Sequence, residues 1–347
     1  MDFPLIFQGC AFRLQSCSAI LRVVALSALL VSAFGVGAIA SDAPVGNLDA
    51  MKQAYRRPPV RPADNPALVE LGRDLFFDPV ISASGKTSCA SCHSPQAAWA
   101  ANEPRSRGDS GQFTMRKTQT LIGIGHARAP FDWDGRNATL EAQAVSAIGT
   151  GSMSLFQLRA PVKVSDIVAR IRASDSYPEK FRHALPDAAI NLDAIVIALS
   201  AFERTIEPEQ APFDRWVAGD ERAISDAAKR GFVLFNGKAD CAACHSGWRF
   251  TDDKFHDIGT TTTDRGRGRE VTESELMQFA FKTPTLRSIA RRAPYMHNGD
   301  FATLAAVVKH YVSGGIERPS RSPLMRPVPL TEAEQGDLIA FLQTLGG

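Results

Sequence analysis

Two short stretches decide how this chain folds: SCASCH at 88–93 and DCAACH at 240–245. The 347-residue sequence has six cysteines, and Cys89, Cys92, Cys241 and Cys244 sit in these two copies. In each copy a histidine, His93 or His245, follows the Cys-x-x-Cys pair directly. Two thiols at this spacing add to the vinyl groups of a haem, and the adjacent imidazole ligates the iron from the proximal side. A redox disulfide or a zinc-thiolate site is the competing use of such pairs. The two pairs lie too far apart in sequence for one compact zinc module, and neither use explains the repeated histidine. The expected cofactors are two covalently bound haem c groups, with His93 and His245 on iron.

The remaining cysteines, Cys10 and Cys17, belong to a targeting segment. Arg13 and Arg22 precede an uncharged apolar run over 23–40, which ends in Ala38-Ile39-Ala40 before Ser41. That order of basic, apolar and small residues is a cleavable export signal over 1–40. An uncleaved membrane anchor is the alternative reading of the run. With cleavage the expected location is the periplasm, with no stable membrane insertion. A formal net charge of +2 gives no pull toward nucleic acid.

The surroundings of the two motifs also repeat. NPALVELGRDLFFDP (65–79) leads into the first and ISDAAKRGFVLFNG (224–237) into the second, each with apolar residues at helical spacing. NLDAIVIALSAFERTI (191–206) opens on an asparagine N-cap, and TEAEQGDLIAFLQTL (331–345) opens on a Thr331/Glu334 capping box. No strand alternation of any length competes. The sequence therefore predicts an all-α protein of two cytochrome c-like domains, 41–206 and 207–347, joined near a proline-rich link.

FDWDGRNATLEAQA (131–144), FKTPTLRSIARRAPYMHNGDFATL (281–304) and the two haem motifs together resemble the bacterial dihaem cytochrome c peroxidase and MauG superfamily. The likeness runs from about 65 to 345. It implies a first haem that meets hydrogen peroxide, a second that stores or relays electrons, and a tryptophan between them, here Trp133. It also implies a glutamine at the peroxide site, here Gln143.

Three departures sharpen the expectation. The ordinary peroxidases of the family carry a removable distal histidine after the first haem motif. Here 94–125 has none, so the first haem is expected to be open, as in MauG-type enzymes; His126 is the alternative sixth ligand. A distal glutamate of the family falls on Ser152 or Met153, which leaves Glu141 as an outside candidate. The second haem's distal ligand falls on Tyr311, where bacterial cytochrome c peroxidases have methionine. A phenolate favours oxidised iron and a thioether favours ferrous iron. Met296 and Met325 are the alternatives. His310 beside Tyr311 reads as a surface residue or a support to the ligand, and His183, His256 and His297 read as structural.

The resemblance also implies a calcium ion, held by Thr118 where the family has asparagine and by the backbone carbonyls of Arg292 and Pro294. Arg136 and Arg287 are candidates to pair haem propionates. The implied activity is a periplasmic dihaem peroxidase that uses hydrogen peroxide to oxidise a protein partner or protein residue. Peroxide removal with electrons from a small cytochrome c or cupredoxin is the alternative. A non-enzymatic electron-transfer cytochrome would need two closed haems, and a haem sensor would bind without turnover.

Overall fold

The computed structural model describes residues 48–60, 62–63, 65–154 and 163–346. The proposed leader, with Cys10 and Cys17, lies outside them. Among the described residues ten helices run in chain order: α1 (Leu48–Ala54), α2 (Pro66–Phe77), α3 (Leu140–Gly149), α4 (Val164–Arg172), α5 (Tyr177–Ala184), α6 (Leu192–Glu203), α7 (Pro212–Val217), α8 (Asp226–Asn236), α9 (Leu304–Ser313) and α10 (Glu332–Gln343). A two-residue antiparallel ladder, β1 (Phe255–His256) with β2 (Phe281–Lys282), is a small addition to the all-α expectation. It is too short to have left an alternating pattern in the sequence.

Helix starts follow from side-chain caps. Asn65 and Asn191 accept the backbone amides of Leu68 and Ala194, and Thr331 and Glu334 form the reciprocal capping box. In each half the helix before the haem motif crosses the closing helix at close range. A Cβ on Gly72 of α2 would sit 1.8 Å from the Ala198 carbonyl oxygen of α6. A Cβ on Gly231 of α8 would sit 2.0 Å from the Asp337 carbonyl oxygen of α10. Only glycine permits either crossing.

Two cores form around these crossings. The first gathers Leu71, Leu75 and Phe76 of α2 with Ile195, Ala198 and Leu199 of α6, and draws in Ile148, Ile171 and Phe181. The second is aromatic: Phe213, Trp216, Phe232, Phe235, Phe250 and Phe341 pack mostly edge to face. Each such side chain contributes roughly 1.5–3 kcal/mol by burial. Residues 48–55, placed with the first half by sequence order, pack on this second core: Tyr55 stacks on Phe250, and Lys52 lies over Trp216.

The internal repeat reaches further than the haem motifs. PFDWDGRNATL (130–140) and PYMHNGDFATL (294–304) make the same loop. Each has an isolated bridge, Phe131 to Asn137 and Tyr295 to Phe301. Each has left-handed residues at matching places, Asp132 and Gly135, then Met296 and Gly299. Each ends in a threonine cap, Thr139 or Thr303. In this register Trp133 matches His297, and Ala147 of α3 matches Tyr311 of α9. AFERT (201–205) and AFLQT (340–344) likewise match Glu203 of α6 with Leu342 of α10.

Candidate functional site

The two haem motifs adopt one conformation. Cys89–Ser91 and Cys241–Ala243 are single 3₁₀ turns, and the amides of His93 and His245 each donate to the first cysteine's carbonyl at 2.9 Å. The His93 Nδ1 contacts the Trp99 carbonyl at 3.2 Å, and the His245 Nδ1 contacts the Phe250 carbonyl at 2.8 Å. An imidazole held this way donates from Nδ1 and leaves Nε2 as the metal ligand. Burial lowers the pKa of both rings, His245 to about 4, so both are neutral as ligation requires.

Sequence reading missed the two residues that orient these rings. Trp99 and Phe250 both have positive φ, 57° and 55°, and both side chains are anchored in a core. Trp99 packs on Phe76 and Phe202, and Phe250 on Tyr55 and Phe341. The signal was present as an aromatic a few positions after each histidine.

All four thiols are free and partly buried. Among the described residues the one cluster tight enough for a metal ion is Cys244, Asp252 and His256, not the two cysteine pairs. His256 donates to Asp252 at 2.9 Å. Burial opposes its charge, yet Asp252 and Cys244 raise its pKa to about 9. The donor set thus fits haem and not a four-thiolate metal.

Around the first motif lies a cavity of about 640 Å³. Its wall includes Cys89, Cys92 and His93, Gln143 and Ala147 of α3, Leu199 and Glu203 of α6, and Trp133. Ser152 and Met153 also line it, so the loop that supplies a glutamate in the family supplies no carboxylate here. Gln143 contacts the carboxyl of Asp132, whose pKa burial raises. Asp132 also binds Asn137 and Arg136. His126 is engaged elsewhere: its Nε2 meets Glu207 at 2.6 Å and its ring stands edge-on to Trp248.

Tyr311 comes close to the second motif. Burial and the nearby sulfurs of Cys244 and Cys241 raise its pKa. A phenolate at this place therefore requires a cation, which an iron bound there would supply. Met296 lines the first cavity instead. Met325 is buried with its amide on Ser322. His310 is pinned by the Ile258 carbonyl at 2.8 Å and supports α9. His183 is exposed on α5.

Trp133 stands where the two halves meet. Its Nε1–H donates to the Lys117 carbonyl at 2.8 Å, and its own carbonyl accepts from Lys282. The ring faces His297, which stacks on Phe281 at 3.6 Å. Arg136, half-exposed, pairs with Asp132 and Asp134. Arg287 is fully buried and pairs with Asp214 at 2.8 Å.

Thr118, Arg292 and Pro294 all line the first cavity. The Thr118 hydroxyl is already bonded to Ser106 at 2.8 Å. Two buried cations lie close together on this wall: burial, helped by the nearby Arg292 charge, lowers Lys117 to about 8, and burial lowers Arg292 to about 10. An engaged hydroxyl, two carbonyls and two nearby cations make a weak site for a divalent cation.

A family profile described as "Di-haem cytochrome c peroxidase" matches residues 66–222, and one described as "Cytochrome c" matches 228–346. The methylamine utilization protein MauG of Methylophilus methylotrophus is 44% identical over 304 residues, covering 85% of this chain and 89% of that protein. Cytochrome-c peroxidase IdrP1 of Denitromonas iodatirespirans is 34% identical, covering 83% and 85%. The crystal structure of a MauG-like protein associated with microbial copper homeostasis superposes with a TM-score of 0.73 at 29% identity, covering 84% of this chain and 93% of that one.

Proposed function

The chain belongs to the di-haem cytochrome c peroxidase and MauG family and is a haem peroxidase, and from that premise we propose that it uses hydrogen peroxide to oxidise a residue of a protein partner in the periplasm. Two haems are held covalently, one through Cys89, Cys92 and His93 and one through Cys241, Cys244 and His245. The haem-binding halves divide near Ile206. Once bound, haem supplies an open iron for peroxide at the first site and a second iron that exchanges electrons with it.

The chain's own residues set the difference between the sites. His93 and His245 are fixed by the Trp99 and Phe250 carbonyls. Tyr311 presents a hydroxyl to the second site; its repeat partner at the first is Ala147, a methyl group on the cavity wall. The open site therefore follows from a methyl group standing where the second site has a phenol. Gln143 offers an amide to peroxide from α3, oriented by Asp132. Trp133 lies between the halves and offers an oxidisable ring on the electron path.

The observation that carries this reading is the placement of Tyr311 beside Cys241 and Cys244. A hard oxygen ligand suits storage of oxidising equivalents over delivery of electrons from a reduced donor. A calcium ion would be held by Thr118 with the Arg292 and Pro294 carbonyls, and no step depends on it. The test is peroxide addition to the diferric protein followed by candidate reductants, against candidate partner proteins analysed for oxidised residues. Rapid turnover with a small cytochrome or cupredoxin, and no modified partner, would favour peroxide removal instead.

A further inference from the structure

Glu203, at the last turn of α6, is 6% exposed and lines the same cavity as His93 and Gln143. Its Oε2 is buried and has no hydrogen-bond partner. An ionised carboxylate in that state is costly, and an unpaired buried acid in a native fold needs an explanation. The fold does not supply one: the repeat places Leu342 at the matching position of α10, buried in the second core. The same helix crossing is thus built with an apolar side chain where no peroxide site is needed.

We propose that Glu203 is the proton-holding residue of the first haem cavity and supplies the carboxyl that the 147–154 loop lacks. This rests on the reading of that cavity as the peroxide site. In its ionised form it takes the proton from the inner oxygen of hydrogen peroxide. As the O–O bond breaks it returns that proton to the outer oxygen, which leaves as water. Over the full reaction peroxide takes up two electrons, supplied through the haems, and two protons, and gives two waters. Glu203 ends in the state in which it began.

The groups that face Glu203 are Arg204 on its own helix, Glu141 of α3 and the Cys89 sulfur. Burial dominates; Arg204 opposes it and Glu141 adds to it, and the pKa rises to about 8. A carboxyl near the working pH serves both proton steps.

The test compares holoprotein carrying Glu203→Gln and Glu203→Leu with the parent. Haem content and cyanide binding to the ferric protein report whether the cavity holds an open haem, independently of Glu203. Infrared spectra should show a buried protonated carboxyl that titrates near pH 8 in the parent and is missing from both variants. The bimolecular rate with peroxide should fall about 100-fold or more in both. The leucine variant guards against a failure of the glutamine variant to fold, because the repeat already accepts leucine there. Parent-like peroxide rates in either haem-loaded variant, or no titrating carboxyl in the parent, would overturn the proposal. Absence of cyanide binding in the parent would instead overturn the reading of the cavity.

Discussion

Trp133 lies edge-on to His297, with ring centroids 6.4 Å apart, and the two hold the same place in the internal repeat. The backbone of Lys117 joins them: its carbonyl takes the Trp133 indole N–H, and its amide donates to the His297 carbonyl at 2.8 Å. The two halves therefore meet through repeat-related rings, of which only the indole is readily oxidised.

Replacing Trp133 with phenylalanine should keep the packing against His297 and lose the Lys117 hydrogen bond. Both haems should remain bound with unchanged resting spectra. Electron exchange between them should slow by at least tenfold. Rapid mixing with peroxide, following each haem separately, measures it; parent-like exchange would place the electron path elsewhere.

The Tyr311–Ala147 match predicts reciprocal variants. Tyr311→Phe should leave the second iron without its oxygen ligand, change its spectrum and potential, and abolish any long-lived oxidised product after peroxide. Ala147→Tyr should place a phenol on the wall of the first cavity and weaken cyanide binding there by a factor of ten or more. If the Tyr311→Phe spectrum matches the parent, Met325 is the next ligand to examine.

Gly72→Ala and Gly231→Ala should each cost about 3 kcal/mol or more, because the added methyl meets a backbone carbonyl that cannot move aside. Denaturant midpoints of the holoprotein check this. Gly336, which has open space around its Cβ position, is the control: Gly336→Ala on α10 should be neutral or slightly stabilising.

Stability should carry a pH signature of Glu203. Its folded pKa, about 8, exceeds the ordinary 4.5. Between those values the folded chain binds a proton that the unfolded chain has lost, so this residue makes stability fall as pH rises. The slope approaches 1.4 kcal/mol per pH unit mid-window. Histidines with lowered pKa act with the opposite sign, so the informative quantity is the difference between parent and Glu203→Gln. A constant difference from pH 5 to 8 would contradict it.

Much of this was legible in the sequence because it is local. The haem turns, the asparagine and threonine caps and the Thr331/Glu334 box each depend on a few adjacent residues. The expectation for Tyr311 came from the family resemblance, not from its own neighbours in sequence. What escaped depends on long-range packing. Nothing near Glu203 in sequence reveals that its carboxyl is buried without a partner. The left-handed backbone of Trp99 and Phe250 breaks the expectation that such φ values mean glycine. Arg287 read as a propionate-binding cation because its partner, Asp214, is distant in sequence. The packing of 48–55 on the second core runs against chain order.

The haem-motif cysteines bear on how the protein is made. Burial holds Cys241 at about 12 and raises Cys89 as well, whereas a thiol reacts as its thiolate. Once the helices have crossed, these partly buried sulfurs are poor nucleophiles. The thioether bonds proposed here are therefore best made on a nascent, still-open chain, with the prosthetic group arriving first and the glycine crossings closing over it. Maturation then has a fixed order, and a half that closes too early is a dead end for the cell's attachment machinery.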